Sequence, residues 1–355
     1  MATSVGLGRD VPNPEVPNLE LVRPRRVTIV DVAQAAGVSV ASASKVMRGT
    51  RGVSEEMRSK VRHAVDELGY RPHRMAQGLR GPLKTIGVLL PGIDNPFFSL
   101  LLNGAVEVLA ERGYEIFISP AGSTAASHHA CMESLIDHHM GGLLLVAPRG
   151  ASSRLEEIAQ QIPVVVLGRH GPNQHFDTVA GDDMLGARLV VDHLVNQGHA
   201  RIGFFASAND DDANLPEHRR LEGYQQAMAA HGLAENIDVL ATEWSYEGGT
   251  AVAKALFGRG TLPTAILAGP DVTAIGFLNE VWRRNIRVPE DLAVVGYDNS
   301  PMSALPPISL SSVDQSGVEM GRIAAQLLLE RIEGRTEARH EILPVTLRPR
   351  RTSTR

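Results

Sequence analysis

The 355-residue sequence has a single cysteine, Cys131, which excludes a disulfide framework and any metal site built from thiolates. No apolar run approaches 18 residues, so no membrane-spanning helix is predicted. The first 26 residues carry acids and four prolines where a secretion signal needs an apolar stretch, and cytoplasmic residence is the expectation. Catalytic signatures are missing as well. TIGVLLPG, the first apolar run of the body, holds only Gly87 and Gly92, not the G-x-G-x-x-G that cradles a dinucleotide. Neither a G-x-x-x-x-G-K-[ST] loop nor a G-x-S-x-G elbow occurs. His128-His129 and His138-His139 are offset by nine and ten residues, which does not gather four imidazoles on one helix face, so they are expected at the surface. Asp182-Asp183 and Asp210-Asp211-Asp212 read as loop and cap residues. No catalytic residue, metal site or cofactor is expected.

What is present is an uneven charge. The chain is −5 overall, but residues 1–84 hold 14 Lys and Arg against 8 Asp and Glu. Residues 85–355 hold 21 against 32. A basic first quarter on an acidic body reads as a polyanion-binding head; a basic tail with no partner is the plainer alternative.

The patterning divides the same way. Residues 1–26 have no apolar periodicity and read as a disordered arm. Ile29, Val32, Ala33 and Ala36 recur at helical spacing behind Thr28 and stop at Gly37. Ser39 caps a second helix whose inward stripe is Val40, Ala43, Val46 and Met47, and a third runs from Ser54 to Gly69. Two short helices joined by a glycine turn, with a third in support, form a helix-turn-helix unit over 27–72. A breaker-flanked hinge spans 73–83. Over 84–355, strands are predicted at 85–90, 115–118, 142–146, 164–167, 202–205, 265–267 and 292–295. Helices are predicted between them at 98–112, 124–139, 186–197, 219–231, 246–257 and 272–284. Such alternation builds parallel sheets with helices on both faces, and its length suits two lobes around a cleft.

The segments VTIVDVAQAAGVSVASASKVMRG, VSEEMRSKVRHAVDELGYRPHRMAQGLR, TIGVLLPGIDNPFF, RVPEDLAVVGYDNSP and PPISLSSVDQSGVEMGRIAAQLLLERI together resemble the LacI/GalR family of transcriptional repressors. The likeness runs collinearly through nearly everything after residue 26. It implies an all-α helix-turn-helix head and a two-lobed α/β core like a periplasmic binding protein, its parallel sheets flanked by helices. The N-lobe would comprise about 84–182 plus 315–341, and the C-lobe about 183–314 plus 342–350. It also implies a homodimer on a palindromic double-stranded operator, with a carbohydrate-like effector in the cleft. The competing reading is a sugar-binding or sugar-acting α/β protein whose basic head is incidental.

By the family pattern Val40 and Ala41 take the first reading positions in the major groove, where they offer only apolar contact, for instance to a thymine methyl. Lys45 stands where the family has Arg and lacks its rigid fork. Thr28, Ser39, Ser42 and Ser44 suit phosphate contact, with Ser39 open to a plain capping role. Arg48 reaches for phosphate or is a solvated arginine. In the hinge, His73 to Leu79 follows the family's N-x-x-A-x-x-L with His for Asn. Leu79 takes the minor-groove wedge role, or the segment is an ordinary linker. The hinge is expected to order only on DNA.

For the effector, the resemblance points to Asp94, Asn95, Phe97, Arg169, Arg220, Trp244, Asp271 and Asp298, each following a predicted strand or opening a helix at the cleft. Arg220 and Asp298 either hold the ligand or pair with each other; Trp244 is a platform or core packing. Pro270 replaces the family's Asn, which speaks against a typical hexose, and Arg169 with Arg220 would tolerate an anion such as a sugar acid or phosphate. The segment 315–332 reads as a helix crossing between lobes. Dimerisation is expected through the helices beginning near Phe98 and over 317–329.

Overall fold

The computed structural model describes residues 27–47, 50, 52–70, 84–171, 173–207, 212–260 and 262–354. The arm 1–26, Arg48, the hinge 73–83 with Leu79, and Asp210 and Asp211 lie outside the described residues. The chain divides into two units, Met1–Gly81 and Pro82–Arg355.

In the first unit, α1 (Ile29–Ala35) starts with a capping box. The Asp31 N–H donates to Thr28 Oγ1 at 3.4 Å, and the Thr28 N–H donates to Asp31 Oδ2 at 2.7 Å. Gly37, at φ +66°, makes the left-handed turn that a side chain would strain. α2 (Val40–Met47) opens at Ser39, whose Oγ accepts the Ser42 N–H at 3.1 Å. α3 (Glu55–Leu68) runs between a Ser54 cap and a left-handed Gly69. The shared core is Val32, Ala33, Ala36, Ala43, Val61 and Ala64, small residues that let three short helices approach closely. Val40 is not in the inward stripe. It is the first residue of α2, ahead of the turn that packs on α1, and is 42% exposed.

The second unit begins with β1 (Thr85–Leu90), α4 (Phe97–Glu111), β2 (Glu115–Pro120), α5 (Ala125–Asp137), β3 (Gly142–Val146), α6 (Ser152–Ala159), β4 (Val164–Leu167) and β5 (Asp177–Gly181). It continues with α7 (Asp183–Asn196), β6 (Ile202–Ser207), α8 (Pro216–Ala230), β7 (Asp238–Thr242), α9 (Tyr246–Phe257), β8 (Ala265–Leu267), α10 (Asp271–Arg283), β9 (Ala293–Tyr297) and β10 (Ser311–Asp314). α11 (Gly317–Ile332), β11 (His340–Leu343) and β12 (Thr346–Arg348) complete it.

These strands form two six-stranded sheets, ordered β11-β5-β4-β3-β1-β2 and β12-β10-β9-β8-β6-β7. All pairings are parallel except β10 with β12. Central strands such as β3 (GLLLV) and β4 (VVVL) are buried along their whole length, because helices cover both faces. In the first lobe α4 and α11 pack on one face and α5 and α6 on the other; in the second, α7 and α8 oppose α9 and α10. The chain passes between the sheets three times, after β5, after β10 and after β11. The predicted crossing helix at 315–332 is shorter than expected. α11 starts at Gly317 and lies wholly on the first lobe, so the crossing is Gln315 and Ser316 just before it.

α4 and α11 meet through two glycines. A Cβ on Gly104 would lie 1.9 Å from the Val318 carbonyl oxygen, and one on Gly321 would lie 1.9 Å from that of Leu101. The apolar surplus of α11 is therefore spent on α4 and on its own sheet, and little of it faces outward. Gly104→Ala is expected to force the helices apart and destabilise the core by about 1–3 kcal/mol or more, read as a lowered urea midpoint. Gly92→Ala, whose Cβ meets nothing within 4 Å, should leave the midpoint in place.

Candidate functional sites

In the first unit, burying Ala43 and half-burying Val46 and Met47 leaves Val40, Ala41 and Lys45 on the outer face of α2. These are positions i, i+1 and i+5 of one helix, so a single exposed strip carries two small apolar groups and one ammonium. Ser39 is exposed beside them, and Ser42 and Ser44 are half-buried at the strip's edge. The Ser39 and Ser42 hydroxyls lie 2.9 Å apart, and Ser39 also caps the helix. Thr28 sits at the N-terminus of α1 with its hydroxyl on Asp31. Two helix N-termini with hydroxyl caps and a lysine are a chemical match for a phosphate backbone.

In the second unit the strand orders place a topological switch point twice, between β1 and β3 and between β6 and β8. Crevices form outside the carboxyl ends of strands at such points, and the cavity is there. It holds about 290 Å³, and its wall includes Asp94, Asn95 and Phe97 after β1, Arg149 after β3, Trp244 after β7 and Asp298 after β9. Arg220 and Glu217 of α8, Glu243, Pro270 and Gln315 also line it, with Ser123, Ser207 and Ser245.

Arg220 is the most constrained of these groups. It is 5% exposed; its Nε donates to Asp183 Oδ1 at 2.7 Å and its Nη2 to Gln315 Oε1 at 3.4 Å. Its guanidinium carbon lies 3.6 Å over the Tyr297 ring and 5.2 Å from the centre of Trp244. Burial alone would weaken its hold on the proton, but Asp183, Tyr297 and Asp298 outweigh that and raise its pKa. Burial likewise opposes the Asp183 charge, yet Arg220 and His170 hold its pKa below the usual range. His170 Nε2 lies 2.7 Å from Asp183 Oδ2. Nη1 of Arg220 makes no hydrogen bond among the described residues.

Arg220 and Asp298 thus do not pair with each other. Asp298 instead accepts from Gln315 Nε2 at 2.6 Å and from Asn95 Nδ2, across the cleft, at 3.2 Å. Its backbone is left-handed at φ +108°, a strained conformation of a kind that collects at binding sites. Two further links join the lobes: Arg149 to Glu217 at 3.3 Å and Arg169 to Asp212 at 2.6 Å.

Six of the eight effector residues expected from sequence therefore line the cavity: Asp94, Asn95, Phe97, Arg220, Trp244 and Asp298. Arg169 and Asp271 do not. Arg169 is 2% exposed, and its Nη2 is held by Asp212 and, at 2.7 Å, by Ser152 Oγ. A strand-end arginine already matched by a carboxylate faces the protein. Asp271 is fully buried; its carboxylate turns inward to accept from Ser300 N–H at 2.7 Å and Ser312 Oγ at 2.6 Å. Its neighbours Pro270 and Val272 occupy the wall in its place.

The histidine expectation also needs correction. His128 is buried behind the cavity, where its Nδ1 accepts the Arg149 N–H at 3.1 Å and its Nε2 lies 2.8 Å from the Gly122 carbonyl. An accepting Nδ1 assigns the neutral tautomer with its proton on Nε2, donating to Gly122. Among the described residues no group of three or more His, Cys, Asp and Glu could hold a metal ion. Sequence reading missed Arg149, Glu217, Glu243 and Gln315. Arg149 follows the end of a predicted strand, so the rule that found Asp94 would have found it, whereas Glu243 follows β7, which has no predicted counterpart. Gln315 had no comparable signal.

Burial, helped by the Asp298 charge, pushes the Asp271 carboxyl up to about 7. Its unfolded value is near 4, so the proton it binds favours the folded chain, and that contribution is lost as pH rises through about 7. Asp271→Asn has no such proton to lose. Its amide oxygen can accept from Ser300 while the Ser312 hydroxyl turns to accept its NH₂. The stability of Asp271→Asn relative to the parent should rise by on the order of 2 kcal/mol between pH 5.5 and 8, measured as paired melting curves. A pH-independent difference would refute a buried, proton-binding Asp271.

Residues 28–73 match the model for bacterial regulatory proteins of the lacI family, and residues 191–353 that for a periplasmic binding protein-like domain. The ribose operon repressor of Haemophilus influenzae is 30% identical over 315 residues, which is 87% of this chain and 93% of that protein. A solved complex of the transcriptional regulator CelR with cellobiose aligns at TM-score 0.67 and 29% identity, over 92% of this chain and 100% of that one. The lac repressor dimer bound to operator and the anti-inducer ONPF aligns at TM-score 0.73 and 25% identity, over 93% and 99%. With a helix-turn-helix unit and a two-sheet core, both matched at these levels, the chain belongs to the lacI family of bacterial regulatory proteins.

Proposed function

We propose that the protein is a cytoplasmic, homodimeric transcriptional repressor whose grip on a palindromic operator changes when a carbohydrate-like molecule fills the interlobe cavity. It acts by binding and not by catalysis. The observation that carries the reading is the outer strip of α2. A helix-turn-helix core has no structural need to leave Val40 and Ala41 exposed beside Lys45, and a thymine-methyl contact with a guanine-directed donor is what such a strip offers a major groove. Thr28, Ser39, Ser42 and Ser44 take phosphates, with Arg48 adding charge and Leu79 wedging the minor groove from the hinge. Residues 27–72 are the head, 73–83 the hinge and 84–355 the core. In the cleft Arg220 and Asp298 grip hydroxyls, Asn95 and Asp94 bound them, and Trp244 and Phe97 cover an apolar face. The neighbour with cellobiose bound and the relative named for a ribose operon support a sugar-like effector.

Dimerisation is supported by apolar residues that the single chain leaves exposed: Phe117 and Ile118 on β2 and Val106 on α4 in the first lobe, and Trp282, Met302 and Leu305 in the second. A two-fold dimer of heads explains why the operator should be palindromic.

Selection of random duplexes by the full-length protein at two salt concentrations tests the reading. A two-fold symmetric sequence should be enriched, with steep salt dependence; an unenriched pool, with and without a metabolite mixture, would favour a binding protein with an incidental basic head. On the selected operator, Lys45→Ala should cost about 1–3 kcal/mol and weaken non-specific binding far less. Equal losses on both would rule out base reading by Lys45.

A further inference from the structure

The cavity wall disposes of its positive charge internally. Arg220 is committed to Asp183, and Arg149 lies 3.3 Å from Glu217. Arg169, the other arginine expected from sequence, is off the wall and paired with Asp212. Among the described residues no lysine or histidine lines the cavity. On the negative side, Asp94, Glu217, Glu243 and Asp298 all line it. Asp94 and Glu243 are exposed and have no ion-pair partner among the described residues. Four carboxylates thus face two arginines, and both arginines are matched already.

A phosphate or carboxylate entering this space would meet surplus negative charge in a low-dielectric cleft, which concentrates the field of its lining, and would lose water without gaining an unmatched cation. Uncharged hydroxyls meet no such penalty. They can donate to Asp298 and accept from Nη1 of Arg220. Phe97, Phe98 and Trp244 supply surface for an apolar ring face.

From this balance we infer that the cleft selects an uncharged or amino-bearing polyhydroxy ligand and rejects its phosphorylated and carboxylated analogues. The inference rests on the cleft being the effector site, and it runs against the expectation that Arg169 and Arg220 would tolerate an anion. Glu243 and Asp94 are the specificity-determining residues: their carboxylates have no ion-pair partner among the described residues, and they set the sign of the field at the mouth.

The chain has two tryptophans, and Trp282 on α10 is not on the cavity wall. In Trp282→Phe the fluorescence is that of Trp244 alone, and in Trp244→Phe subtraction gives the same signal should the first variant fold poorly. Quenching by caesium and by iodide, each normalised to acrylamide and to free N-acetyltryptophanamide, reads the field in the cleft without any ligand. Caesium should be favoured about twofold or more, and Glu243→Gln should narrow the gap. Iodide quenching equal to or above caesium overturns the inference.

The second arm uses matched probes on the full chain by thermal shift: ribose against ribose 5-phosphate, and glucose and glucosamine against glucuronate and glucose 6-phosphate. Stabilisation by an uncharged or amino member without its anionic partner supports the inference. Stabilisation by an anion, abolished in Trp244→Ala, overturns it. A probe whose effect survives Trp244→Ala and Asp298→Asn binds elsewhere, which refutes the effector-site reading itself. Where no probe in the set stabilises the chain, the quenching comparison decides.

Discussion

A guanidinium buried to 5% exposure between two lobes must be matched by an anion, and much of the core is arranged around that requirement. Stranding Arg220 without Asp183 would cost several kcal/mol. Asp183 is held in place because it opens α7 one residue after Asp182, whose side chain caps the helix by accepting the Leu185 N–H at 2.9 Å. Tyr297 lies flat beneath the guanidinium, and Gly186 is bare because a Cβ there would sit 2.0 Å from the Tyr297 hydroxyl oxygen. Gln315, on the second crossing, binds Arg220 with one end of its amide and Asp298 with the other. Two of the three passages between lobes therefore end at one side chain. A ligand that moves Arg220 or Asp298 acts directly on the segments about which the lobes turn.

The contacts that span the cleft are polar and few, whereas those within each lobe are apolar and dense. The former include Asn95 with Asp298, Arg149 with Glu217, Arg169 with Asp212, and His170 with Asp183 and with the Asn214 carbonyl. Each lobe by contrast has two apolar clusters, one on each sheet face. A net hydrogen bond contributes roughly 1 kcal/mol, while a single fully buried Leu or Phe contributes about 1.5–3 kcal/mol. Rearranging lobe against lobe is thus far cheaper than deforming either lobe. A ligand touching both sides has differential contacts with the open and closed arrangements, which is what a population shift requires.

The central strands were legible because burial on both faces leaves an unmistakable apolar run, as in GLLLV and VVVL. The strands that sequence reading missed are those whose burial does not need apolar side chains or that lie at sheet margins. β7 (DVLAT), β11 (HEIL) and β12 (TLR) are edges of their sheets. β10 (SSVD) lies inside its sheet with two serines, and β5 (DTVAG) is fully buried but begins at Asp177, an acid tolerated there because Arg331 and Arg335 reach it at 2.8 and 2.5 Å. That pairing is made by residues more than 150 positions away, and no local pattern can announce it. The same limit governed the cleft. Strand-end position pointed to Asp94, Asn95, Phe97 and Asp298, and the family pattern to Trp244, but neither could tell that Asp271 turns inward to Ser300 and Ser312, or that Arg169 belongs to Asp212. Position along the chain says which residues reach a crevice; only the partner set says which of them remain available to a ligand.

That distinction bears on the charge asymmetry. Residues 85–355 are not short of cations, holding 21 Lys and Arg against 32 Asp and Glu, yet their best-buried arginines are consumed. Arg169 and Arg220 are each matched to one carboxylate, and Arg331 and Arg335 share Asp177. A body whose best-buried arginines are matched internally and whose surplus is negative repels a phosphate backbone at the range of the Debye length. Affinity for a polyanion is then left to the basic first quarter, where residues 1–84 hold 14 Lys and Arg against 8 Asp and Glu.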